Sequence, residues 1–210
     1  AKTRFPSYFE DPNFSFVAGD INDETAFKTI DKADFIIHAA SNTHPLLYAS
    51  DPIGTMMTNL FGTKHLLDLA VRSHSERFLF VSTVEVYGEN TGIQDKFSET
   101  SFGYIDCNTL RAGYPESKRA GEALCQAYLK QHNLDVVIPR LPRIYGPTML
   151  MSDSKALSQF IKNSLNGQDI VLKSEGTQFY SYAYVADAVS GLLTVLLLGE
   201  KGQAYNISDA

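Results

Sequence analysis

The chain has 210 residues, 44% of them hydrophobic, and a formal net charge of −6. That length and apolar content suit one globular domain with a sizeable core, and the acidic balance argues against a nucleic-acid surface. No run reaches the roughly 18 apolar residues of a membrane span; the richest, Val185 to Leu198, is interrupted by Asp187 and Ser190.

Residues 1–13 read as polar and irregular, with Pro6 and Pro12, and Ala1 opens no signal peptide. Phe14 to Val17 alternates like a short strand. Ala18-Gly19-Asp20-Ile21 then turns into a helix that Asn22 or Asp23 can cap, with Glu24 in its first turn. From the residues alone, Asp20 is either part of a plain helix cap or a site residue. Asp34 to Ser41 reads as a buried strand ending in the small residues Ala39, Ala40 and Ser41, which would let a ligand approach the backbone. His38 fits a packed strand-end residue, and with His44 it has no carboxylate pattern around it, so no metal site is expected. After a loop at 42–50, a long helix runs from Asp51-Pro52 to Ser73. Met56, Leu60, Thr63, Leu67 and Ala70 repeat along it at helical spacing. Asn59 on that apolar face is either a satisfied core amide or a site residue.

Phe78 to Val81 is apolar at every position, as in a parallel strand covered on both faces. It delivers Ser82, Thr83 and Glu85 to its carboxyl end, where open α/β sheets bind ligands. Residues 89–113 form a long loop, and loops of that length are usually functional or disordered; a substrate-covering segment is expected. A helix follows to about His132, starting with Tyr114-Pro115-Glu116-Ser117-Lys118. Tyr114 and Lys118, four apart, share one face. A lysine ammonium beside a phenol favours the phenolate, so Tyr114 is expected to titrate below its usual value of about 10. Such a phenol can remove the proton of a sugar or alcohol hydroxyl while hydride leaves the same carbon and the Thr83 hydroxyl holds the oxygen. Glu85 is either a base or a solvated strand-end carboxylate.

Leu134 to Ile138 reads as the next strand, leading into Arg140-Leu141-Pro142-Arg143-Ile144-Tyr145-Gly146-Pro147. A helix near Lys155–Leu165, a strand at Asp169–Leu172, the segment Gly176 to Asp187, a helix capped by Asp187 and a strand at Tyr205–Ile207 complete the chain. Cys107 and Cys125 have no metal-type spacing and fit a reduced, cytoplasmic setting.

Ser82-Thr83-Val84-Glu85-Val86-Tyr87-Gly88 with Tyr114-x-x-x-Lys118 resembles the extended short-chain dehydrogenase/reductase family, the nucleotide-sugar epimerases and dehydratases. The resemblance extends to Gly19-Asp20-Ile21, His38 to Ser41, Asn59-x-x-Gly62-Thr63 and Arg140 to Pro147. It implies a Rossmann-like doubly wound parallel sheet lacking the first strand-turn-helix. Residues 1–147 would be a truncated dinucleotide-binding core, and 148–210 a partial substrate-binding region with returning Rossmann elements. It also implies NAD as cofactor, contacted by Asp20, Ile21, Ala39, Ala40, Ser41, Asn59, Val81, Ser82, Tyr114, Lys118 and Leu141. Thr83, Glu85, Tyr114 and Lys118 would be catalytic, and Thr83, Arg143 and Tyr180 would meet a nucleotide-sugar substrate. In the family the Asn of Asn-x-x-Gly-Thr orients the active-site lysine and nearby strand ends, and the helices bearing Asn59 and Tyr114 pack into a dimeric four-helix bundle.

The chain departs from the family pattern at three points. Arg143 stands where the family has Asn. Tyr180-Ser181 replaces an Arg-Asp whose arginine meets the nucleotide diphosphate. Val84 replaces the dehydratase Asp that acts as acid for the C6 hydroxyl, while Glu85, the C5 base, is retained. These features imply a nucleotide-sugar 4,6-dehydratase-like enzyme that forms a 4-keto intermediate, with a 4-epimerase or decarboxylase as the alternative. A non-catalytic nucleotide-binding member is the alternative of another class. No Gly-x-x-Gly-x-x-Gly occurs in the sequence. That turn seats a dinucleotide pyrophosphate on a helix N-terminus, so the 210 residues alone are expected to bind NAD poorly and to be inactive, as an internal portion of a longer enzyme with an exposed sheet edge.

Overall fold

The strands Phe35–His38 (β1), Arg77–Phe80 (β2), Ser82–Thr83 (β3), Val136–Leu141 (β4) and Ala204–Asn206 (β7) form one wholly parallel sheet in the computed structural model. It describes residues 5–43, 49–90, 95–147, 149–150, 153–172, 175–176 and 179–208. His44, residues 91–94 of the 89–113 loop and residues 177–178 of the segment from Gly176 to Asp187 lie outside that set. β1 pairs β2, β2 and β3 pair β4, and β4 pairs β7. β2 and β3 keep one register on β4, since Leu79 faces Val137 and Ser82 faces Arg140. Between them the ladder lapses at Pro139, which has no N–H to give.

Helices cover both faces. Pro52–Met57 (α1), Thr63–Arg72 (α2) and Gly113–His132 (α3) lie on one side, where Ile36, Leu67, Phe78, Phe80, Cys125, Val136 and Ile138 form the main core. Ala156–Leu165 (α4) is set apart, and Val185–Leu198 (α5) closes the other side over Leu79 and Val137 with Val195 and Leu196. Arg143–Tyr145 (β5) and Tyr182–Tyr184 (β6) form a separate parallel pair beyond the end of β4. The doubly wound expectation holds for the described residues, and so do the long helix, the Tyr114 helix and the strand after Leu134.

Several local expectations are corrected. Among the described residues Phe14 to Val17 pairs with no strand. Its aromatics join Phe9 instead, with ring centroids 5.3 Å away for Phe14 and 5.4 Å for Phe16, so apolar alternation there serves an aromatic cluster and not a ladder. Pro6–Glu10 is a 3-10 turn, and the helix expected after Ile21 is only the 3-10 turn Glu24–Phe27, capped by the Asp23 side chain on Thr25 N–H. β1 is buried on one face alone: Phe35 and Ile37 are exposed, because α5 packs against β2 and β4 and stops short of β1. Asp169 to Leu172 forms no strand, and Ile170, Val171 and Leu172 face solvent. Asp187 is the third residue of α5; the cap is Tyr184, without a side-chain bond. The long helix is interrupted by a π turn, Thr58–Gly62.

Candidate active site

The site is built where α3 packs on β3 and on the 3-10 turn Val84–Tyr87. Thr83 is buried and caps that turn, its Oγ1 accepting from Glu85 N–H at 3.2 Å. An oxygen that accepts from the backbone keeps its own proton to give, so Thr83 faces the site as a donor. Glu85 stands in the first turn, partly exposed, beside partly exposed Val84. Leu141 pairs with Thr83 across the strands.

Tyr114 and Lys118 enter from the N-terminal half of α3, both buried. Lys118 Nζ donates to Val81 O at 2.8 Å and lies 4.7 Å from the centre of the Phe80 ring. Burial lowers its pKa from the usual lysine range to about 8, and the Glu122 carboxylate acts against that shift. Val81 N–H in turn donates to His38 O. The sheet end, the lysine and β1 are therefore tied through one residue.

The π turn presents Asn59, fully buried, with both ends of its amide in use. Its Oδ1 accepts from Ser41 Oγ at 2.7 Å, and its Nδ2 donates to Ser117 Oγ at 2.9 Å. Ser117 Oγ donates onward to Tyr114 O. Asn59 thus holds Ser41 past the end of β1, in keeping with the strand-end part of the expectation, and reaches Lys118 only through its neighbour Ser117. Thr63 Oγ1 donates to Asn59 O and meets His38 Nε2 at 2.9 Å. His38 must then donate through Nε2, leaving a buried Nδ1 without a partner. Burial, helped by the Lys118 charge, lowers its pKa to about 3, so it is a neutral packed residue.

Asp20 and Ile21 are moored to the same helix. Asp20 Oδ1 accepts from Asn22 N–H at 2.9 Å, Asn22 Nδ2 donates to Thr58 Oγ1 at 3.1 Å, and His65 Nδ1 donates to Ile21 O at 3.0 Å. The Ile21 side chain fills the space over Gly62, where a Cβ would come 2.4 Å from its Cδ1. Ala39 and Ala40 are exposed past the end of β1, and Ser41 is half-buried. Beyond β4, Arg143 and Tyr180 meet: the guanidinium carbon lies 3.5 Å from the ring centre, and Arg143 N–H donates to Ser181 O.

Sequence reasoning quoted Arg140 only as part of a motif and missed Glu122, its partner. Arg140 Nε and Nη2 donate to Glu122 Oε1 and Oε2 at 3.0 and 2.7 Å, and Ser82 Oγ donates to Glu122 Oε1. A signal for Glu122 was present, since it continues the four-residue spacing of Tyr114 and Lys118. Among the described residues no group of ligand-type side chains could hold a metal, and no helix is long and apolar enough to cross a membrane.

The profile of the NAD dependent epimerase/dehydratase family matches residues 2–208. UDP-glucuronic acid decarboxylase 6 of Arabidopsis thaliana is 32% identical over 209 residues, which cover 100% of this chain and 59% of that enzyme. UDP-glucuronic acid decarboxylase 1 of Xenopus tropicalis is 37% identical over 165 residues, 79% of this chain and 38% of that enzyme. Among solved structures, the dTDP-glucose 4,6-dehydratase DesIV of Streptomyces venezuelae, with NAD bound, superposes with a TM-score of 0.85. It is 29% identical and matched over 99% of this chain and 62% of its own. The chain thus spans well under two thirds of the length of these curated relatives.

Proposed function

Because the chain belongs to the NAD-dependent epimerase/dehydratase family, we propose that it carries the reacting half of an enzyme that oxidises a nucleotide sugar at C4 and decarboxylates it. Two features of the site fit NAD: the bulk-free strand end at Ala39 and Ala40, and the exposed Asp20 carboxylate. Asp20, Ile21, Ala39, Ala40, Ser41, Val81, Leu141, Tyr114 and Lys118 would hold it. Asn59 and Ser82 turn their side chains inward and would shape the wall. When bound, NAD supplies the hydride acceptor for C4 and the donor that later returns it.

Tyr114 takes the C4 hydroxyl proton, Lys118 favours its phenolate, and Thr83 donates to the C4 oxygen. The intact Thr83, Tyr114 and Lys118 set at the packed junction of β3 and α3 carries this reading. With a C5 carboxylate the 4-ketone is a β-keto acid. The bond to the carboxyl carbon breaks, carbon dioxide leaves, and its electron pair enters the enolate, which is protonated at C5. No acid for a C6 hydroxyl is needed, which suits Val84. The decarboxylase relatives support the same choice.

The second reading is 4,6-dehydration, favoured by Glu85 as the C5 base and by the likeness to DesIV. The full-length protein with NAD and UDP-glucuronate should release carbon dioxide and yield a UDP-pentose, and Tyr114→Phe should lower the rate about 10²–10⁴-fold. A 4-keto-6-deoxy product from UDP- or dTDP-glucose, with UDP-glucuronate untouched, would replace this reading with dehydration. A 4-epimer from UDP-glucose without solvent label at C5 would replace both.

A further inference from the structure

The stretch that bears Thr83 and Glu85 is held at its two ends by a single ion pair. At one end, Ser82 Oγ donates to Glu122. At the other, Tyr87 OH accepts from Arg140 Nη1 at 2.8 Å and donates to Asn206 Oδ1 at 2.7 Å. Between these points the carboxylate of Glu122 receives both arms of the Arg140 fork. The side chains of the pair are only 12% and 13% exposed.

The same hub reaches a second segment. Arg140 Nη1 also donates to Glu99 O at 3.0 Å, Asn206 N–H donates to Glu99 Oε1 at 2.8 Å, and Asn206 Nδ2 donates to Phe97 O at 3.1 Å. Phe97 stacks on Tyr87, with centroids 5.0 Å apart and planes within 5°. Further on, Gly88 bridges Tyr104, and Gly103 packs so close to Val86 O that a Cβ would come within 2.1 Å.

We propose that Glu122 and Arg140 are positioning residues, which align Thr83 and Glu85 by clamping Ser82 and Tyr87 and which lock residues 97–104 to the same point. The inference rests on the function proposed above for its kinetic readout, but not for its structural one. A nearly buried ion pair is a poor source of stability, since desolvation offsets its attraction. What a bidentate fork supplies is direction, and here its remaining donor fixes the far end of the reacting segment. Lys118 and Glu122, one turn apart on α3, thereby hold consecutive residues: Lys118 the carbonyl of Val81, Glu122 the hydroxyl of Ser82.

The test uses Glu122→Gln and Arg140→Lys in the full-length enzyme. Glu122→Gln still accepts from Ser82 but cannot receive both arms of the fork. Misplacement of about 1 Å costs on the order of 10²-fold in rate, so kcat should fall by about that factor in both variants with little change in KM. In Glu122→Gln the alkaline limb of the rate should also move to lower pH. Lys118 faces Glu122 and Cys125 on α3, His38 on β1, and the Phe80 ring and Val81 carbonyl on the sheet; of these, Glu122 is the carboxylate helping it keep its proton. Hydrogen exchange should quicken in peptides covering 82–87 and 97–104 and stay unchanged in α2. If Glu122→Gln does not fold, Ser82→Ala leaves the pair intact and should quicken exchange at 82–87 alone. Wild-type kcat and unaltered exchange at 82–87 would overturn the proposal while leaving the function standing. Should the wild-type enzyme turn over no nucleotide sugar, the function fails and the exchange measurement alone decides the clamp.

Discussion

Burial acts on Lys118 in two opposed directions. Its pKa is lowered to about 8, mainly by desolvation, whereas in the unfolded chain it titrates near the usual lysine value of about 10.4. Between these two values the unfolded state binds more protons, so stability from this group rises with pH across the window. The cation that favours the Tyr114 phenolate is lost over the same window. The enzyme should therefore lose activity above about pH 8 while its thermal midpoint holds or rises, a contrast that calorimetry beside a pH–rate profile can read. A midpoint falling in step with the rate would assign the alkaline loss to unfolding. Arg143 supports a second prediction. Its guanidinium rests on the Tyr180 ring, and among the described residues it has no carboxylate partner. If it meets the substrate diphosphate, Arg143→Leu removes a charge-assisted bond of about 1.5–3 kcal/mol, roughly a ten- to hundred-fold rise in Kd for UDP. The exchange Arg143→Asn with Tyr180→Arg should restore most of that affinity. A Kd unmoved by Arg143→Leu would remove Arg143 from the substrate site.

At the level of elements, the seating of α3 on the sheet decides where Tyr114 and Lys118 stand. Gly121 allows it: a Cβ there would come 2.5 Å from Phe80 Cζ, on the buried ring beside Lys118 Nζ. Gly121→Ala would gain about 1 kcal/mol in helix propensity, but forcing extra bulk into a packed core costs about 1–3 kcal/mol. The overlap should win, giving a lower thermal midpoint and a lower kcat; an unchanged or raised midpoint would show that the helix can shift freely. The elements legible in the sequence were those whose burial is written into every residue. Phe78 to Phe80 is such a run; the Tyr114 helix, buried on one face only, was legible instead from its four-residue spacing, and it ends at Asn133, left-handed at φ 58°. Phe14 to Val17 misled because alternation records apolar side chains and not what they pack against. Glu122 and Arg140 stayed hidden because a buried ion pair is a property of two chain positions brought together by α3 and β4. Either residue alone reads as a surface charge.

Over the whole molecule, several apolar surfaces remain open among the described residues, and two of them lie on the sheet and its helices. One is the outer face of β1 with α5, where Phe35, Ile37, Val189, Leu193 and Leu197 are exposed, the last three at intervals of four along the helix. The other lies on α1 and the π turn, where Ile53 is 73% and Phe61 51% exposed. They stand eight positions apart, and the π turn adds one residue to the helical count, so they fall on one stripe as i and i+7 do on a regular helix. Large exposed aliphatic and aromatic side chains aligned on a helix mark a contact surface when they form a patch. The stripe lies on the helix that bears Asn59 and packs against α3, so a twofold contact there would build four helices into a bundle, the dimer expected of the family. Sedimentation of the full-length protein should give a dimer, and the double change Ile53→Glu with Phe61→Glu should give a monomer that keeps its thermal midpoint within a few degrees, since both side chains are exposed. A monomeric unaltered protein would exclude the bundle. A dimer indifferent to the double change would move the contact elsewhere, with the β1 and α5 surface next to be tested.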